Sequence, residues 1–189
     1  MAKREVYNLL IGLNHWLIEN LPPKKEVING VKNGTPPGGE REGVFIKQFL
    51  YTRLKSFTED YFKGLVPEDY QKQANEALIV EGIKPTTQHC HFFFGSKPAP
   101  DFRFESPFPF TIAGEVKYSS SPRDLRTLVG QTIIYVISGE AEKWHYDYGY
   151  GIFYDISDSQ IIKEAGQNLL EQKLHQELWD KFGIFIRII

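Results

Sequence analysis

Apolar side chains recur at intervals of three and four residues in several parts of the chain, which is the spacing of one face of an α-helix. The pattern predicts helices over residues 3–21, 40–62 and 69–77. A further helix is expected from Ser121 to about residue 138, because serine is favoured at the N-cap and Pro122 suits the first helical position. Residues 159–181 are also amphipathic and predict another helix near the end of the chain.

Short apolar or aromatic runs, separated by proline and glycine, predict strands. The candidate strands are 78–83, 89–94, 101–105, 110–118, 148–154 and 184–189. Residues 22–39 carry four prolines and several glycines and are therefore expected to form a loop. The predicted order of elements is helix, several strands, helix, strand, helix and strand. This order predicts one α/β domain with a central mixed sheet flanked by helices.

Charge and composition narrow the class of protein. The 189 residues contain 22 Lys and Arg against 24 Asp and Glu, so the net charge is -2 and any nucleic-acid surface must be a local patch. The single cysteine, Cys90, excludes an internal disulfide framework. No apolar run approaches the ~20 residues of a membrane span, and the N-terminal segment is amphipathic. We therefore expect a cytoplasmic protein that does not enter a membrane.

Three charged residues at the ends of two neighbouring strands form the most informative pattern. Side chains alternate along a strand, so Glu115 and Lys117 share one face while Val116 takes the other. Asp101, which follows Pro100, begins the preceding strand and can lie beside Glu115 if the two strands form a hairpin. Two carboxylates can hold Mg²⁺, which activates water and polarises a phosphoryl oxygen, and an ammonium can stabilise the developing charge.

This pattern resembles the PD-(D/E)xK nuclease superfamily, which includes restriction endonucleases, Holliday-junction resolvases and RecB-type exonuclease domains. The resemblance implies a restriction endonuclease-like αβββαβ core over residues 40–155, with residues 1–39 and 156–189 as additions within a single domain. It implies Mg²⁺-dependent hydrolysis of DNA, with Mn²⁺ as a possible substitute. Asp101, Glu115 and the carbonyl of Val116 would hold the metal and Lys117 would act on the water. Restriction-type members commonly act as homodimers, so a homodimer is possible.

Two supporting features of the family have counterparts in this sequence. Gln131 and Tyr135 lie four residues apart on the helix that follows the strand with Glu115 and Lys117. They are similar to the Gln-xxx-Tyr motif of the RecB-type branch, which is thought to contact nucleic acid. The family often has a glutamate on its first core helix. Glu42 lies closer than Glu40 to the apolar stripe of that helix, about 50° against about 110°, and is the better candidate.

Other positions leave alternatives open. Ser119, Ser121 and Arg123 lie where a helix N-terminus could bind phosphate, although a helix cap and a solvated arginine explain them equally well. Arg41, Arg103 and Arg126 also flank the expected cleft. His89, Cys90 and His91 are expected to be strand residues beside a core rather than a zinc site, because alternation along a strand separates the cysteine from the histidines. The alternative function is a catalytically inactive nuclease-like domain that binds DNA or a protein partner.

Overall fold

The computed structural model describes residues 3–83, 99–139, 146–158, 162 and 168–189. Its described part contains a helical N-terminal half followed by a sheet with two further helices. The helices are α1 (Lys3–Asn20), α2 (Lys24–Gly34), α3 (Arg41–Phe45), α4 (Tyr51–Leu65), α5 (Tyr70–Ala77), α6 (Pro122–Gly139) and α7 (Leu169–Phe182). The strands are β1 (Leu78–Val80), β2 (Phe102–Phe104), β3 (Ile112–Ser119), β4 (Tyr148–Asp155) and β5 (Ile184–Ile188). A π-helical turn, Ile46–Leu50, joins α3 to α4 without a break.

The five strands form one mixed sheet in the order β1-β2-β3-β4-β5. β1, β2 and β3 are antiparallel, with Phe102 opposite Gly114, whereas β3, β4 and β5 are parallel. α6 provides the crossover between the parallel strands β3 and β4, as a parallel pair requires. The expected α/β architecture with a central mixed sheet flanked by helices is therefore confirmed.

The two faces of the sheet are covered by different helices, and this decides the surroundings of every β3 side chain. The larger apolar cluster joins α1, α2 and the α3–α4 helix to one face, where Ile112, Val116 and Tyr118 point. On the other face, the contacts with β3 and β4 come from α6, and Ala113 packs with Tyr135 of that helix. A helix therefore also packs on the β3 face that carries Glu115 and Lys117. The sequence pattern alone did not predict this cover.

The expected loop over residues 22–39 is wrong, because Lys24–Gly34 forms α2. Val27 and Val31, four residues apart, are fully buried and give this helix an apolar side. Gly30 lies against the ring of Phe49, and a Cβ at this glycine would stand 2.5 Å from a ring atom. The glycine that suggested a loop instead permits close packing between two helices.

The remaining elements agree with the sequence pattern apart from their ends. The helix expected over 40–62 runs from Arg41 to Leu65 through the π-helical turn. The helix expected over 159–181 begins only at Leu169, because Asn168 is its N-cap and accepts the N–H of Leu170 at 2.9 Å; residues 159–161 and 163–167 lie outside the described residues. The strand expected over 89–94, together with Cys90 and its neighbouring histidines, lies outside the described residues. Among the described helices, none combines the length and the apolar character that crossing a bilayer demands.

Candidate active site

β2 and β3 bring Asp101 next to Glu115. Phe102 pairs with Gly114, so the antiparallel register places the preceding residue, Asp101, opposite Glu115. The Oδ2 atom of Asp101 accepts the backbone N–H of Val116 at 2.7 Å. The carboxylate is therefore fixed at the one residue that separates Glu115 from Lys117.

The site lies where β2 stops covering β3. β2 has three residues against eight in β3, and Pro100, just before Asp101, lacks the N–H that would continue the ladder. The next N–H on this edge of β3 belongs to Tyr118 and is donated to Oε2 of Glu42 at 3.3 Å. Carboxylates from two different elements thus take the place of a neighbouring strand.

Lys117 links the carboxylates of Glu115 and Glu42. Its Nζ atom lies 2.7 Å from Oε1 of Glu115 and 3.2 Å from Oε1 of Glu42. Glu115 is 3% exposed, and the side chain of Lys117 is 15% exposed. The structure therefore brings Asp101, Glu115, Lys117 and Glu42 together, while Glu40 is exposed at the start of the helix.

Tyr135 of α6 supports Glu115 from the helix that covers the same face of the sheet. It is fully buried, and its hydroxyl donates to Oε2 of Glu115 at 2.7 Å, with the carbonyl of Ala99 also within reach at 3.1 Å. A buried tyrosine cannot contact nucleic acid directly, so its contribution passes through Glu115. Gln131, one helical turn earlier, has a buried Oε1 with no hydrogen-bond partner among the described residues.

The site contains more acidic than basic side chains. Burial, followed by the nearby Glu115 carboxylate, raises the pKa of Asp101 from 3.8 to about 8. Burial also raises the pKa of Glu115, against the opposing effect of Lys117. Burial alone would lower the pKa of Lys117, but Glu115 and the other carboxylates outweigh it and the pKa is raised. One ammonium does not balance three carboxylates, so a further cation would stabilise their ionised forms.

The donor set fits a hard divalent cation. Asp101 and Glu115 supply carboxylate oxygens, and the carbonyl of Val116 points to the same strand edge as its N–H, because the two groups of one strand residue share a direction. Mg²⁺ usually takes one or two protein carboxylates and completes its shell with water. Within the described residues, no group of three His, Cys, Asp or Glu side chains converges closely enough to hold a metal unaided.

The segment after β3 is arranged as a helix cap. The Oγ atom of Ser121 accepts the N–H of Arg123 at 3.2 Å, and the Oγ atom of Ser119 donates to Asp124 at 2.5 Å. The Asp124 carboxylate in the first turn of α6 was missed by sequence reasoning, although acidic residues are favoured at that position. The Asp124 carboxylate adds negative charge at the helix N-terminus where the sequence suggested phosphate binding. Arg123 is exposed and has no side-chain partner among the described residues.

The arginines expected around the cleft separate into two groups. Arg41, Arg123 and Arg126 are exposed, and Arg41 lies near enough to Tyr118 to lower its pKa against the larger effect of burial. Arg103 is only 2% exposed and is bound to Glu105 at 3.0 Å and to the Tyr146 hydroxyl at 3.3 Å. Arg103 is therefore a core residue of β2, and the interpretation of it as a cleft residue is wrong.

Comparison with known proteins identifies no relative. No protein-family model, no curated protein and no solved structure matches the chain. The functional argument therefore rests on the geometry and charge of the site.

Proposed function

We propose that this protein is a metal-dependent deoxyribonuclease of the PD-(D/E)xK type, built on a restriction endonuclease-like αβββαβ core. The observation that carries the proposal is the placement of the Asp101 carboxylate on Val116, between Glu115 and Lys117. A chance acidic-x-Lys triplet on a strand gives no reason for a second carboxylate, from another strand, to meet it at that residue.

The chain's own residues have distinct roles in this proposal. Asp101, Glu115 and the Val116 carbonyl would hold Mg²⁺, or Mn²⁺ in its place. The bound ion supplies Lewis-acid polarisation of the scissile phosphate and lowers the pKa of a water. The Val116 N–H and the Tyr135 hydroxyl fix the orientation of the two carboxylates. The Lys117 ammonium would orient the attacking water or stabilise developing negative charge.

DNA would approach the uncovered edge of β3. Arg41 is close to this edge, and Arg123 and Arg126 are exposed at the start of α6, directly after β3. These cations form a local contribution to phosphate binding in a chain whose net charge is -2. Two copies of the chain would offer one site to each DNA strand, so we include a homodimer on DNA in the proposal.

Cleavage of plasmid and branched DNA tests the enzyme directly. Purified protein is incubated with Mg²⁺, with Mn²⁺, or with EDTA, alongside Asp101→Asn and Glu115→Gln variants. Asp60→Asn is the matched control because Asp60 is exposed on α4, away from the site. Metal-dependent cleavage by the wild type and the control, lost in both site variants, is the expected result. Equal cleavage by all four proteins would contradict the proposal.

A second function, DNA or protein binding without cleavage, is favoured by one observation. Lys117 bonds to both Glu115 and Glu42, an arrangement that neutralises part of the site without a metal. DNA binding that is unaffected by Mg²⁺, with no cleavage of single-stranded, double-stranded or branched DNA, would support this alternative.

A further inference from the structure

A polar cavity lies on the other side of the sheet from Lys117. It is open to solvent, has a volume of about 430 Å³ and lies between α1, α7 and β5. Its polar lining comes from Tyr7, Gln172, His175, Gln176 and Arg187. Arg187 pairs in register with Ile152, and Ile152 with Val116, so its side chain shares the face of Val116. Two strand spacings, about 10 Å, separate the backbones of Arg187 and Val116.

Arg187 lies against an aromatic ring and has no counter-charge among the described residues. Its guanidinium carbon lies 4.2 Å from the centre of the Phe185 ring, which holds the planar group against an aromatic surface. The Nε atom is buried and has no hydrogen-bond partner, and no carboxylate of the described residues forms an ion pair with this arginine. A buried polar group without a partner is costly and calls for a ligand, ion or water that completes it.

The groups around Arg187 add donors and little charge. Burial, and then the Arg187 charge, lower the pKa of His175 despite the opposing effect of Glu171, so at neutral pH the imidazole offers an N–H without a second positive charge. The buried Tyr150 hydroxyl also has no hydrogen-bond partner in the described part of the chain. It lies close enough to Arg187 for the arginine to oppose the effect of burial, which raises the pKa of Tyr150. Gln176 already donates to Asp180 at 2.9 Å.

We propose that this cavity binds a small oxyanion, a carboxylate or phosphate group, through the guanidinium of Arg187. The planar fork of an arginine matches both groups, and stacking on Phe185 fixes its orientation before the ligand arrives. Half-buried Tyr7 and His175 supply further donors at the cavity wall. The proposal is independent of nuclease activity, because the cavity shares no residue with the site around Asp101 and Glu115.

Titration by heteronuclear NMR of the full chain tests this site. Sodium phosphate and sodium acetate are added separately, each compared with sodium chloride at matched ionic strength. Saturable shifts of the Arg187 Nε–H and of the backbone amides of His175 and Gln176 are expected with at least one anion. The anion that saturates identifies the group. No saturable shift with either anion in the millimolar range would overturn the proposal.

Variants separate a specific site from general charge. Arg187→Gln should weaken anion binding about tenfold or more, since it removes the charge-assisted hydrogen bonds of the guanidinium. Lys173→Gln, which removes one positive charge from an exposed position on α7, should leave the affinity unchanged. Arg187→Lys keeps the charge and guards against a folding defect; it should bind more weakly than the wild type. Equal weakening by Arg187→Gln and Lys173→Gln would contradict the proposal.

Discussion

The carboxylate of Asp101 accepts the N–H of Val116 at 2.7 Å, and this contact joins the segment before β2 to the centre of β3. It fixes Asp101 beside Glu115 even though like charges repel and burial disfavours both ionised forms. A polar network held against these costs is typical of functional sites, where perturbed pKa values concentrate.

The metal-free protein is expected to lose stability as the pH rises from about 4 to about 8. The pKa of Asp101 is raised in the folded chain from 3.8 to about 8, so the folded state holds a proton that the unfolded state releases. The stabilisation is fully present below the pKa of Asp101 in the unfolded chain. It is lost as the pH rises to the pKa of Asp101 in the folded chain. Urea unfolding in EDTA across this range measures it. Asp101→Asn, which keeps an acceptor for Val116, should flatten the dependence, and an unchanged slope would refute the assignment.

Mg²⁺ or Mn²⁺ is expected to raise the melting temperature of the wild type, because a ligand that binds only the folded state stabilises it by mass action. Asp101→Asn should lose this effect and the exposed Asp60→Asn should keep it. Differential scanning calorimetry with added metal, followed by EDTA, provides the measurement. A metal effect retained in Asp101→Asn would place the ion elsewhere.

Lys117→Met is expected to lower the cleavage rate about 10²–10³-fold with a much smaller change in DNA affinity, because a preorganised charge acts on the transition state. Methionine retains much of the apolar length of the side chain. Single-turnover cleavage and fluorescence anisotropy measure the two quantities separately. If affinity falls in proportion to rate, Lys117 binds phosphate and its catalytic role is wrong.

Tyr135→Phe should destabilise the protein by about 1–3 kcal/mol, because it leaves a buried carboxylate oxygen of Glu115 without its donor. The hydrogen bond from Tyr135 lowers the pKa of Glu115, so its loss should raise that pKa. The acidic limb of the pH profile of cleavage should then move to higher pH. Tyr61→Phe is the control, since Tyr61 is half-buried in α4 far from Glu115. Equal effects of the two substitutions on the pH profile would argue against the role of Tyr135.

Two arginines should respond differently to removal. Arg123→Gln is expected to reduce the salt dependence of DNA binding by about one unit of slope if the exposed guanidinium contacts a phosphate. Arg103→Gln should instead lower stability, because it leaves Glu105 without its buried partner. Anisotropy at several salt concentrations and thermal unfolding distinguish these outcomes. An unchanged slope for Arg123→Gln would make Arg123 a solvated surface residue.

Sequence periodicity was sufficient to predict the strand and the helix that carry the site. Alternation placed Glu115 and Lys117 on one face of β3, and the angle around the first core helix favoured Glu42, which the structure brings to Lys117. The alternation and the angle depend only on local geometry, with a period of two for strands and 3.6 for helices, whereas the expectation of a supporting glutamate on this helix came from the family resemblance.

The errors over residues 22–39, Glu115 and Arg103 came from packing between distant segments. Gly30 indicates flexibility in the sequence, but its small size lets α2 pack on Phe49. The burial of Glu115 depends on α6 crossing the same face of the sheet, and the hydroxyl of Tyr135 reaches it from there. Arg103 alternates onto a covered face for the same reason. Pattern alone gives the direction of a side chain but not what another element places above it.

The short length of β2 has a consequence for assembly as well as for chemistry. A strand margin with free N–H groups is a template for any extended segment that passes, including another copy of the same chain. Asp101 and Glu42 occupy the two N–H groups that β2 leaves on β3 and give this margin negative charge. These two carboxylates thus shield the open margin of β3 from strand addition, so a variant that removes both is expected to aggregate more readily than the wild type.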